Sequence, residues 1–451
     1  MLKYSYPALI LHFIRADHYS QKQTKALQQK KLRELVSYAR VKSPFFRELY
    51  KNIPEDFTIE DLPPVDKKTM MGSFDDYVTD RKVRIADVRE FISDKNNIGR
   101  DFHGKYLVAT TSGSTGVPSI VLHDGNSTRS AAIMTMARYM RPRLPLAAFC
   151  VDDVFLIENG NIRNNIRKMP LLSKSIRLIN AKDTYESICG KVNRIRPKVI
   201  VGYAGSIELL ADQALAGNLH IRPVQLLTSG ECLTPASREK IRKAFPGADV
   251  RSIYGCTEGN VIAYECEHHH MHINDDFFIV EPVDRDNRPV PDGTISDKIL
   301  LTVLGNFVQP IIRFEMTDRI TMHHDQCPCG RKGAWFEVEG RSNDVLTMID
   351  TKGEKVSIAP LPFIFVIEPL DGINNFQLVL HGFDRIELRI DFLPGADMDK
   401  VFGEARKSIL DYLRKFGVEN VTVNLSELPP QRNPRTGKFR QMYQENEQAQ
   451  L

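Results

Sequence analysis

Apolar runs alternate with amphipathic segments of helical length between residues 183 and 256. Short runs rich in valine, isoleucine and leucine predict buried strands, and they lie at 197–203, 224–230 and 249–255. Segments with apolar positions three and four residues apart predict helices, and they lie at 183–195, 205–217 and 234–245. Strands that alternate with helices at this spacing predict a parallel sheet with crossover helices.

The pattern changes twice towards the C-terminus. After about residue 275, short strands separated by turn residues predict an antiparallel region. After "GRSND" at 340–344, strand patterns surround a helix that begins near Met398. We therefore predict an α/β protein with a large N-terminal domain, 1–340, that combines parallel α/β sheets with an antiparallel β lobe. A small mobile α+β domain, 341–451, is long enough to fold by itself.

One glycine-rich loop separates two predicted strands. "YLVATTSGSTGVPSIVLHD" at 106–124 predicts a strand, a loop and a second strand. The loop consists of Thr111, Ser112, Gly113, Ser114, Thr115 and Gly116. Glycines allow the backbone to approach a ligand, and successive N–H groups with hydroxyls bind anions. The loop lacks the lysine of a Walker-type phosphate loop, so the sequence alone leaves a plain surface connector open as the alternative.

Composition and charge narrow the function classes. Hydrophobic residues make up 42% and charged residues 26% of the 451 residues, which is typical of a globular protein. The net charge of +4 is too small to indicate nucleic acid or an anionic membrane as partner. The apolar run at 7–14 is too short to span a membrane, and we expect it to pack on the protein body. Seven cysteines without a secretory signal indicate a reducing, cytoplasmic location.

A second group of functional residues follows the last predicted parallel strand. "SIYGCTEGN" at 252–260 offers the aromatic ring of Tyr254, the hydroxyl of Thr257 and the carboxylate of Glu258. Ligands of open α/β sheets bind at this edge of the sheet. These three groups suit a base, a phosphate and Mg²⁺, respectively. Cys256 lies in the same turn without an activating base nearby, so we interpret it as a turn-filling side chain.

These motifs, in order along the chain, resemble the adenylate-forming superfamily of acyl-CoA synthetases, luciferases and peptide-synthetase adenylation domains. The other motifs that carry the likeness are "IIRFEMTD" at 311–318, "GRSNDVL" at 340–346 and "PRTGKFRQ" at 434–441. The chain is most similar to the phenylacetate–CoA ligase branch, which includes capsule-biosynthesis adenylating proteins. "LPPVDKKTM", "GYAGSIELLAD", "SGECLT" and "CPCGR" are similar to sequences of that branch.

The resemblance implies a role for each matching residue. Thr111 to Gly116 would hold the β- and γ-phosphates of ATP, and Asp318 with Arg341 would bind the ribose. Gly230 and Glu231 would line the adenine site, with Tyr254 and Gly255 against the base. Thr257 would contact the α-phosphate, Glu258 would bind Mg²⁺, and Lys438 would be the catalytic cation. The small domain would rotate about Asn343 and Asp344, and the acid pocket would include Tyr139, Tyr203, Ala204 and Gly205.

The implied activity is ATP-dependent conversion of an aryl, arylacetic or fatty acid to an acyl-adenylate. The acyl group would then pass to a thiol, either coenzyme A or the phosphopantetheine of an acyl carrier protein. Adenylyl transfer without a thioester, as in deazaflavin-coenzyme adenylation, and a catalytically weak nucleotide-binding protein stay open as alternatives. We expect a small-molecule acid as partner, no nucleic acid and no membrane span, and we keep a homodimer as a candidate assembly.

Three motifs depart from the family pattern. Ser119 stands where many relatives have lysine, and "RFEMTD" places Glu315 and Met316 beside Asp318. Asn343 matches the usual hinge aspartate, and because hinges need backbone freedom rather than charge, an amide is compatible with rotation.

A cluster of cysteines and histidines predicts a second metal. "CEHHHMH" at 266–272 and "CPCG" at 327–330 supply Cys266, His272, Cys327 and Cys329 as a Cys₃His set. Four such ligands suit a closed, structural Zn²⁺ site. His268, His269 and His270 compete for the histidine position, and ordinary turn cysteines without metal are the alternative. A zinc-ribbon nucleic-acid binder is disfavoured by the near-neutral charge.

Overall fold

The protein was analysed as a computed structural model. The structure describes residues 6–110, 119–139, 153–155, 163–164, 167–168, 176–179, 185–341, 346–358, 366–367, 370–414, 416–432 and 439–445. The chain divides into two compact units. Unit 1 comprises residues 1–316 and 321–337, and unit 2 comprises 317–320 and 338–451. The predicted boundary at 340 and the predicted hinge stay predictions, because Asn343 and Asp344 lie outside the described residues.

Helices account for most of the N-terminal third of the described chain. The α-helices of the whole described chain are α1 Tyr6–Ala16, α2 Gln21–Lys42, α3 Pro44–Leu49, α4 Lys67–Gly72, α5 Phe74–Tyr77, α6 Ile85–Ser93, α7 Gly125–Met134, α8 Tyr185–Ile195, α9 Ala204–Leu215, α10 Pro235–Ala244 and α11 Met398–Arg414. Leu9 and Phe13 of α1 are buried, so the N-terminal apolar run packs on unit 1 as predicted. None of the helices that the structure describes is long and apolar enough to cross a membrane.

The strands that the structure describes form five sheets. They are β1 Asp101–Phe102, β2 Tyr106–Thr110, β3 Ile120–His123, β4 Asp153–Phe155, β5 Ile176–Leu178, β6 Val199–Gly202, β7 Gln225–Ser229, β8 Asp249–Cys256, β9 Asn260–Glu265, β10 Met271–Ile273, β11 Phe278–Val283, β12 Lys298–Val303, β13 Phe314–Met316, β14 Asp318–His323, β15 Trp335–Arg341, β16 Leu346–Ile349, β17 Lys355–Ile358, β18 Ile373–His381, β19 Arg385–Phe392, β20 Thr422–Leu425 and β21 Met442–Glu445. The largest sheet has the order β14-β15-β10-β9-β8-β7-β6-β4-β5.

The parallel part of this sheet forms the centre of unit 1. Strands β5, β4, β6, β7 and β8 pair in parallel, and β9 and β10 continue the sheet antiparallel. Helices α8, α9 and α10 connect the parallel strands, and their apolar faces bury Val192, Ile207 and Ile241 against Ile200 and Leu226. The predicted strand–helix alternation is therefore confirmed, and it brings the carboxyl ends of β6, β7 and β8 to one edge.

Two smaller antiparallel sheets complete unit 1. Strands β1, β2 and β3 form one, and β11, β12 and β13 form the other. The second confirms the antiparallel region predicted after residue 275. Alternation along β3 turns Ile120 and Leu122 towards an apolar cluster with Phe74 and Val88. Ser119, Val121 and His123 therefore face the opposite side.

Unit 2 is an α+β unit. Its four-stranded sheet has the order β20-β19-β18-β21, in which β18 and β19 form an antiparallel hairpin and both outer strands pair in parallel. Helix α11 buries Val401, Ala405, Ile409 and Leu413, which recur every four residues on one face. A mixed α/β fold with parallel and antiparallel sheets confirms the predicted fold class.

Candidate active site and metal centre

The turn between β8 and β9 carries three of the predicted site residues. Cys256 pairs with Asn260, so Thr257, Glu258 and Gly259 form the connection between the strands. The register shifts between Tyr254 and Gly255, and a Cβ atom on Gly255 would overlap the carbonyl oxygen of Asn260. Glycine is therefore required there by close backbone approach. The Gly259 N–H donates to the sulfur of Cys256 at 3.2 Å, which agrees with the turn-filling interpretation.

Glu258 is buried next to the start of β3. Its side chain is 7% exposed, and the hydroxyl of Ser119 donates to Oε1 at 3.1 Å. Among the described residues, no lysine, arginine or histidine forms an ion pair with it. Burying a carboxylate without a cation is costly, and carboxylate oxygens are ligands that Mg²⁺ accepts, so Glu258 is suited to hold a metal ion. Ser119 directly follows the segment 111–118, which lies outside the described residues and contains the predicted phosphate loop.

His123, at the end of β3, contacts the same turn. It is fully buried. Its Nε2 lies 2.8 Å from the carbonyl oxygen of Thr257. Its Nδ1 lies 3.1 Å from the Ser127 hydroxyl and 3.2 Å from the side-chain nitrogen of Asn260. Burial lowers the pKa of His123 to about 4, and the hydrogen bond to Thr257 opposes that shift only in part.

The predicted adenine and acid sites meet at the N-terminus of α9. The backbone N–H of Gly205 donates to Glu231 Oε2 at 2.8 Å. Tyr203 is the N-cap residue of this helix, and its side chain is not the cap, so Glu231 satisfies one of the free N–H groups of the first turn. Gly230 has φ of +76°, a conformation that favours glycine. Ala204 is buried.

Tyr139 lies in a buried polar network of unit 1. Its hydroxyl accepts a hydrogen bond from the Asn274 amide, and its ring packs on Tyr264 at 4.6 Å between centroids. Burial raises the pKa of the Tyr139 phenol above its usual range. The adjacent Arg138 donates to Asn274 at 2.8 Å and pairs with Asp276 at 2.8 Å. The structure therefore gives Tyr139 a supporting network, while its place in an acid pocket stays a prediction.

The predicted ribose-binding residues belong to unit 2. Asp318 is the first residue of β14 and is 7% exposed, and Arg341 is the last residue of β15. Glu315, which departs from the family pattern, pairs with Lys298 at 3.0 Å in unit 1, and Met316 is buried. Lys438 lies outside the described residues.

Tyr254 has an aromatic neighbour in unit 1. The ring of Phe336 meets it edge to face at 5.3 Å between centroids. Aromatic pairs of this geometry restrict the ring plane, so Tyr254 is held in a fixed orientation from the β15 side.

Cys266, His272, Cys327 and Cys329 come together as predicted. Their ligand atoms all lie within 4.8 Å of one another. The sulfurs of Cys266 and Cys327 are 3.7 Å apart, and His272 Nε2 is 3.3 Å from the Cys329 sulfur. Ligand atoms about 2.3 Å from a tetrahedral zinc ion lie about 3.8 Å apart, so the set fits Zn²⁺ in size and chemistry.

Two tight turns build this cluster. The Gly330 N–H donates to the Cys327 carbonyl at 3.0 Å, and Gly330 has φ of +85°. The Cys266 N–H donates to the His270 carbonyl at 2.9 Å, which closes the turn between β9 and β10. Of the competing histidines, His269 pairs with Glu265 at 3.0 Å, and His270 Nδ1 lies 3.2 Å from the Cys327 sulfur. His270 also stacks on Trp335 at 3.8 Å between centroids.

Burial disfavours the charged forms of three side chains in the cluster. It raises the pKa of Cys266, raises that of Cys329 to about 12, and lowers the pKa of His272 to about 4. A bound metal ion would instead stabilise thiolates. Two buried thiols, the partly buried Cys329 and one imidazole therefore form a donor set that suits a divalent cation.

Comparisons with known proteins agree with this fold. No family model matches the sequence. The chain is 24% identical over 389 residues to a phenylacetate-coenzyme A ligase of Thermus thermophilus, with 81% of each protein covered. A solved structure of 2-hydroxyisobutyryl-CoA ligase with 2-HIB-AMP superposes with a TM-score of 0.71 at 20% identity. That match covers 94% of this chain and 90% of the ligase.

A more distant structure has the same fold. The amide bond synthetase McbA from Marinactinospora thermotolerans superposes with a TM-score of 0.53 at 15% identity, over 74% of this chain and 67% of McbA. Together with the relative from Thermus thermophilus, these similarities confirm the resemblance to the adenylate-forming superfamily.

Proposed function

We propose, from the resemblance of this chain to the adenylate-forming superfamily, that it is an ATP-dependent acid–CoA ligase. In the first step a carboxylate oxygen would attack the α-phosphorus of ATP, and pyrophosphate would leave. In the second step a thiol sulfur would attack the acyl carbon, and AMP would leave as the thioester forms. The 2-hydroxyisobutyryl-CoA ligase with a bound adenylate and the phenylacetate-coenzyme A ligase support this reaction class.

One observation carries the proposal. The hydroxyl of Ser119 lies 3.1 Å from the carboxylate of Glu258, although the two residues are 139 positions apart. This contact brings the start of β3, which follows the predicted phosphate loop, against the turn that holds the predicted α-phosphate and metal residues. A phosphate-binding loop beside a buried carboxylate is the arrangement that Mg²⁺-dependent attack on phosphorus requires.

The residues have separate roles in this proposal. Thr111 to Gly116 hold the departing pyrophosphate with neutral donors, and Thr257 contacts the α-phosphate. Glu258 holds Mg²⁺, which would neutralise charge on the phosphates. Lys438 would supply the cation for the pentavalent transition state, and removing such a group costs about 10²–10³ in rate. Asp318 and Arg341 would bind the ribose, and Tyr254 would stack on adenine.

We also propose that Cys266, His272, Cys327 and Cys329 bind one structural Zn²⁺. The spacing of the four ligand atoms, which all lie within 4.8 Å of one another, supports this assignment. Four protein ligands leave no open position, so the ion would stabilise unit 1 without acting on substrate.

The decisive experiment is ATP–pyrophosphate exchange with a panel of acids. Phenylacetate, benzoate, 2-hydroxyisobutyrate and fatty acids are each tested alone, with coenzyme A and with a phosphopantetheinylated carrier protein. We expect at least one acid to support exchange and Lys438→Ala to abolish it. Lys407→Ala, which removes an exposed lysine of unit 2, is the matched control and should leave exchange unchanged.

The outcomes separate the alternatives. A product that keeps AMP without a thioester would favour adenylyl transfer over ligation. If no acid supported exchange and Lys438→Ala behaved like the unmodified protein, the enzyme assignment would be wrong.

A further inference from the structure

Two polar side chains contact the turn between β8 and β9. One directly precedes β3 and the other is its last residue. Ser119 and His123 are four residues apart, so they lie on the same face of the extended chain. Ser119 is fully buried and donates to the Glu258 carboxylate at 3.1 Å. His123 is fully buried and contacts the Thr257 carbonyl at 2.8 Å. The strand therefore contacts both a side chain and the backbone of the proposed phosphate and metal turn.

The partners of His123 define the position of its proton. A carbonyl oxygen only accepts hydrogen bonds, so Nε2 carries the proton and donates to Thr257. Nδ1 then has the lone pair, and it accepts from the Ser127 hydroxyl and the Asn260 amide, which lie 3.1 and 3.2 Å away. All of these groups are neutral. The imidazole thus connects β3, α7 and both ends of the turn without adding a charge.

Ser119, like His123, makes its contact with the turn without adding a charge. A hydroxyl donates one hydrogen bond to Glu258 and leaves its negative charge intact. The lysine that many relatives carry at this position would pair with the carboxylate and compete with a metal ion. A neutral donor orients the carboxylate while keeping it a metal ligand.

We propose that Ser119 and His123 are positioning residues, which orient the Glu258 carboxylate and the Thr257 backbone for Mg²⁺ and the α-phosphate. This inference rests on the proposed function and deepens it, because it assigns part of the metal affinity to side chains other than the proposed ligand Glu258. Outer groups that orient metal ligands commonly change metal affinity when they are replaced.

The test compares two amides at position 123. Glutamine places its amide nitrogen near the position of Nε2 and can donate to Thr257, whereas asparagine reaches only to the position of Nδ1. Mn²⁺ serves as the probe for the Mg²⁺ site, and its binding to the protein with ATP and without acid is measured by electron paramagnetic resonance. We expect His123→Asn and Ser119→Ala each to weaken Mn²⁺ binding about tenfold. His123→Gln and Ser119→Thr should retain most of the affinity.

Leu122→Val is the matched control. Leu122 is equally buried on the same strand but faces the apolar cluster, so its truncation should lower the melting temperature and leave Mn²⁺ binding unchanged. Equal Mn²⁺ affinity of the His123→Asn and His123→Gln proteins would overturn the inference, as would full affinity of Ser119→Ala. If the His123→Asn protein does not fold, the Mn²⁺ affinities of Ser119→Ala and Ser119→Thr are compared instead, and equal values would overturn the inference.

Binding and exchange distinguish the inference from the proposed function. The expected Mn²⁺ pattern without exchange for any acid would refute acid activation and leave the positioning roles standing. If exchange requires Lys438 but is unchanged in both His123→Asn and His123→Gln, the positioning roles are refuted and the proposed function stands.

Discussion

Replacement of two adjacent aspartates, Asp275 and Asp276, should change the stability of the protein in opposite directions. Asp276 is buried, and its carboxylate contacts Arg138 at 2.8 Å and His12 at 2.9 Å. Although burial alone would raise it, Arg138 and these neighbours hold the pKa of Asp276 well below its usual range. Burial and the neighbouring Asp276 charge instead raise the pKa of Asp275 to about 7. The folded state therefore stabilises the charged form of Asp276 and the protonated form of Asp275.

The pH dependence follows from the direction of each shift. An unfolded aspartate loses its proton near pH 4, whereas folded Asp275 keeps it to about pH 7. The folded state binds more protons in this window, so stability falls as the pH rises through it. A shift of about three units corresponds to a ceiling of ~4 kcal/mol. The side chain keeps partial solvent contact, which reduces this value. We therefore expect Asp275→Asn to raise the free energy of unfolding by ~2 kcal/mol at pH 8 and by almost nothing at pH 4.

The companion variant has the opposite sign. Asp276→Asn leaves the buried Arg138 with Asp17 as its remaining acidic partner at 2.8 Å. Breaking a buried ion pair by removing one partner costs about 3–5 kcal/mol, so we expect destabilisation at both pH 5 and pH 8. Thermal and urea unfolding at pH 4, 5 and 8 measure both variants, with the exposed Asp286→Asn as control. Equal effects of Asp275→Asn at pH 4 and pH 8 would refute the reasoning.

Three further predictions concern the metal cluster and the turns of unit 1. Protein purified without a tag should contain about one zinc per chain, and Cys327→Ala should lose it while Cys189→Ala, at a buried thiol elsewhere, keeps it in metal analysis. Gly255→Ala should displace the Thr257–Glu258 turn and lower both melting temperature and exchange, whereas Gly190→Ala, with open space around it, should be neutral or slightly stabilising. Glu231→Ala should cost about 1 kcal/mol in stability, because it removes the acceptor of the Gly205 N–H, and should raise the KM for both the acid and ATP, whereas Glu231→Gln should retain the acceptor; unchanged KM values for both substrates would contradict this.

The sequence predicted the elements that have a strong periodic pattern. The strand β6 is a continuous apolar run, β7 and β8 contain shorter apolar stretches, and the helices between the strands repeat apolar positions every three or four residues. Both the type of these elements and their parallel order therefore follow from local sequence. Local capping signals also agree with the structure. The carboxylate of Asp66, a residue type that favours the N-cap position, accepts from the Thr69 N–H at 2.7 Å. Pro44 begins α3, where Ser43 caps the helix by accepting from the Phe46 N–H.

Long-range polar contacts were not predictable in the same way. His12 and Asp276 are 264 residues apart, and no local pattern marks either as a partner of the other. The role of His123 was missed because a single histidine at a strand end carries no periodic signal. The alternation of β3 offered the one usable hint, since it places residues 119, 121 and 123 on the face opposite the apolar Ile120 and Leu122.

The absence of lysine in the glycine loop and at position 119 has a consistent physical explanation. A fixed cation beside the loop would hold pyrophosphate after the reaction and would pair with the buried Glu258 carboxylate before it. Ser119 instead contacts Glu258 as a neutral donor at 3.1 Å. In the proposed reaction the positive charge then comes from Mg²⁺ and Lys438, both of which can leave the phosphates after adenylate formation. We expect a site built in this way to release pyrophosphate readily and to depend on the orientation of Glu258 more strongly than a site with its own fixed lysine.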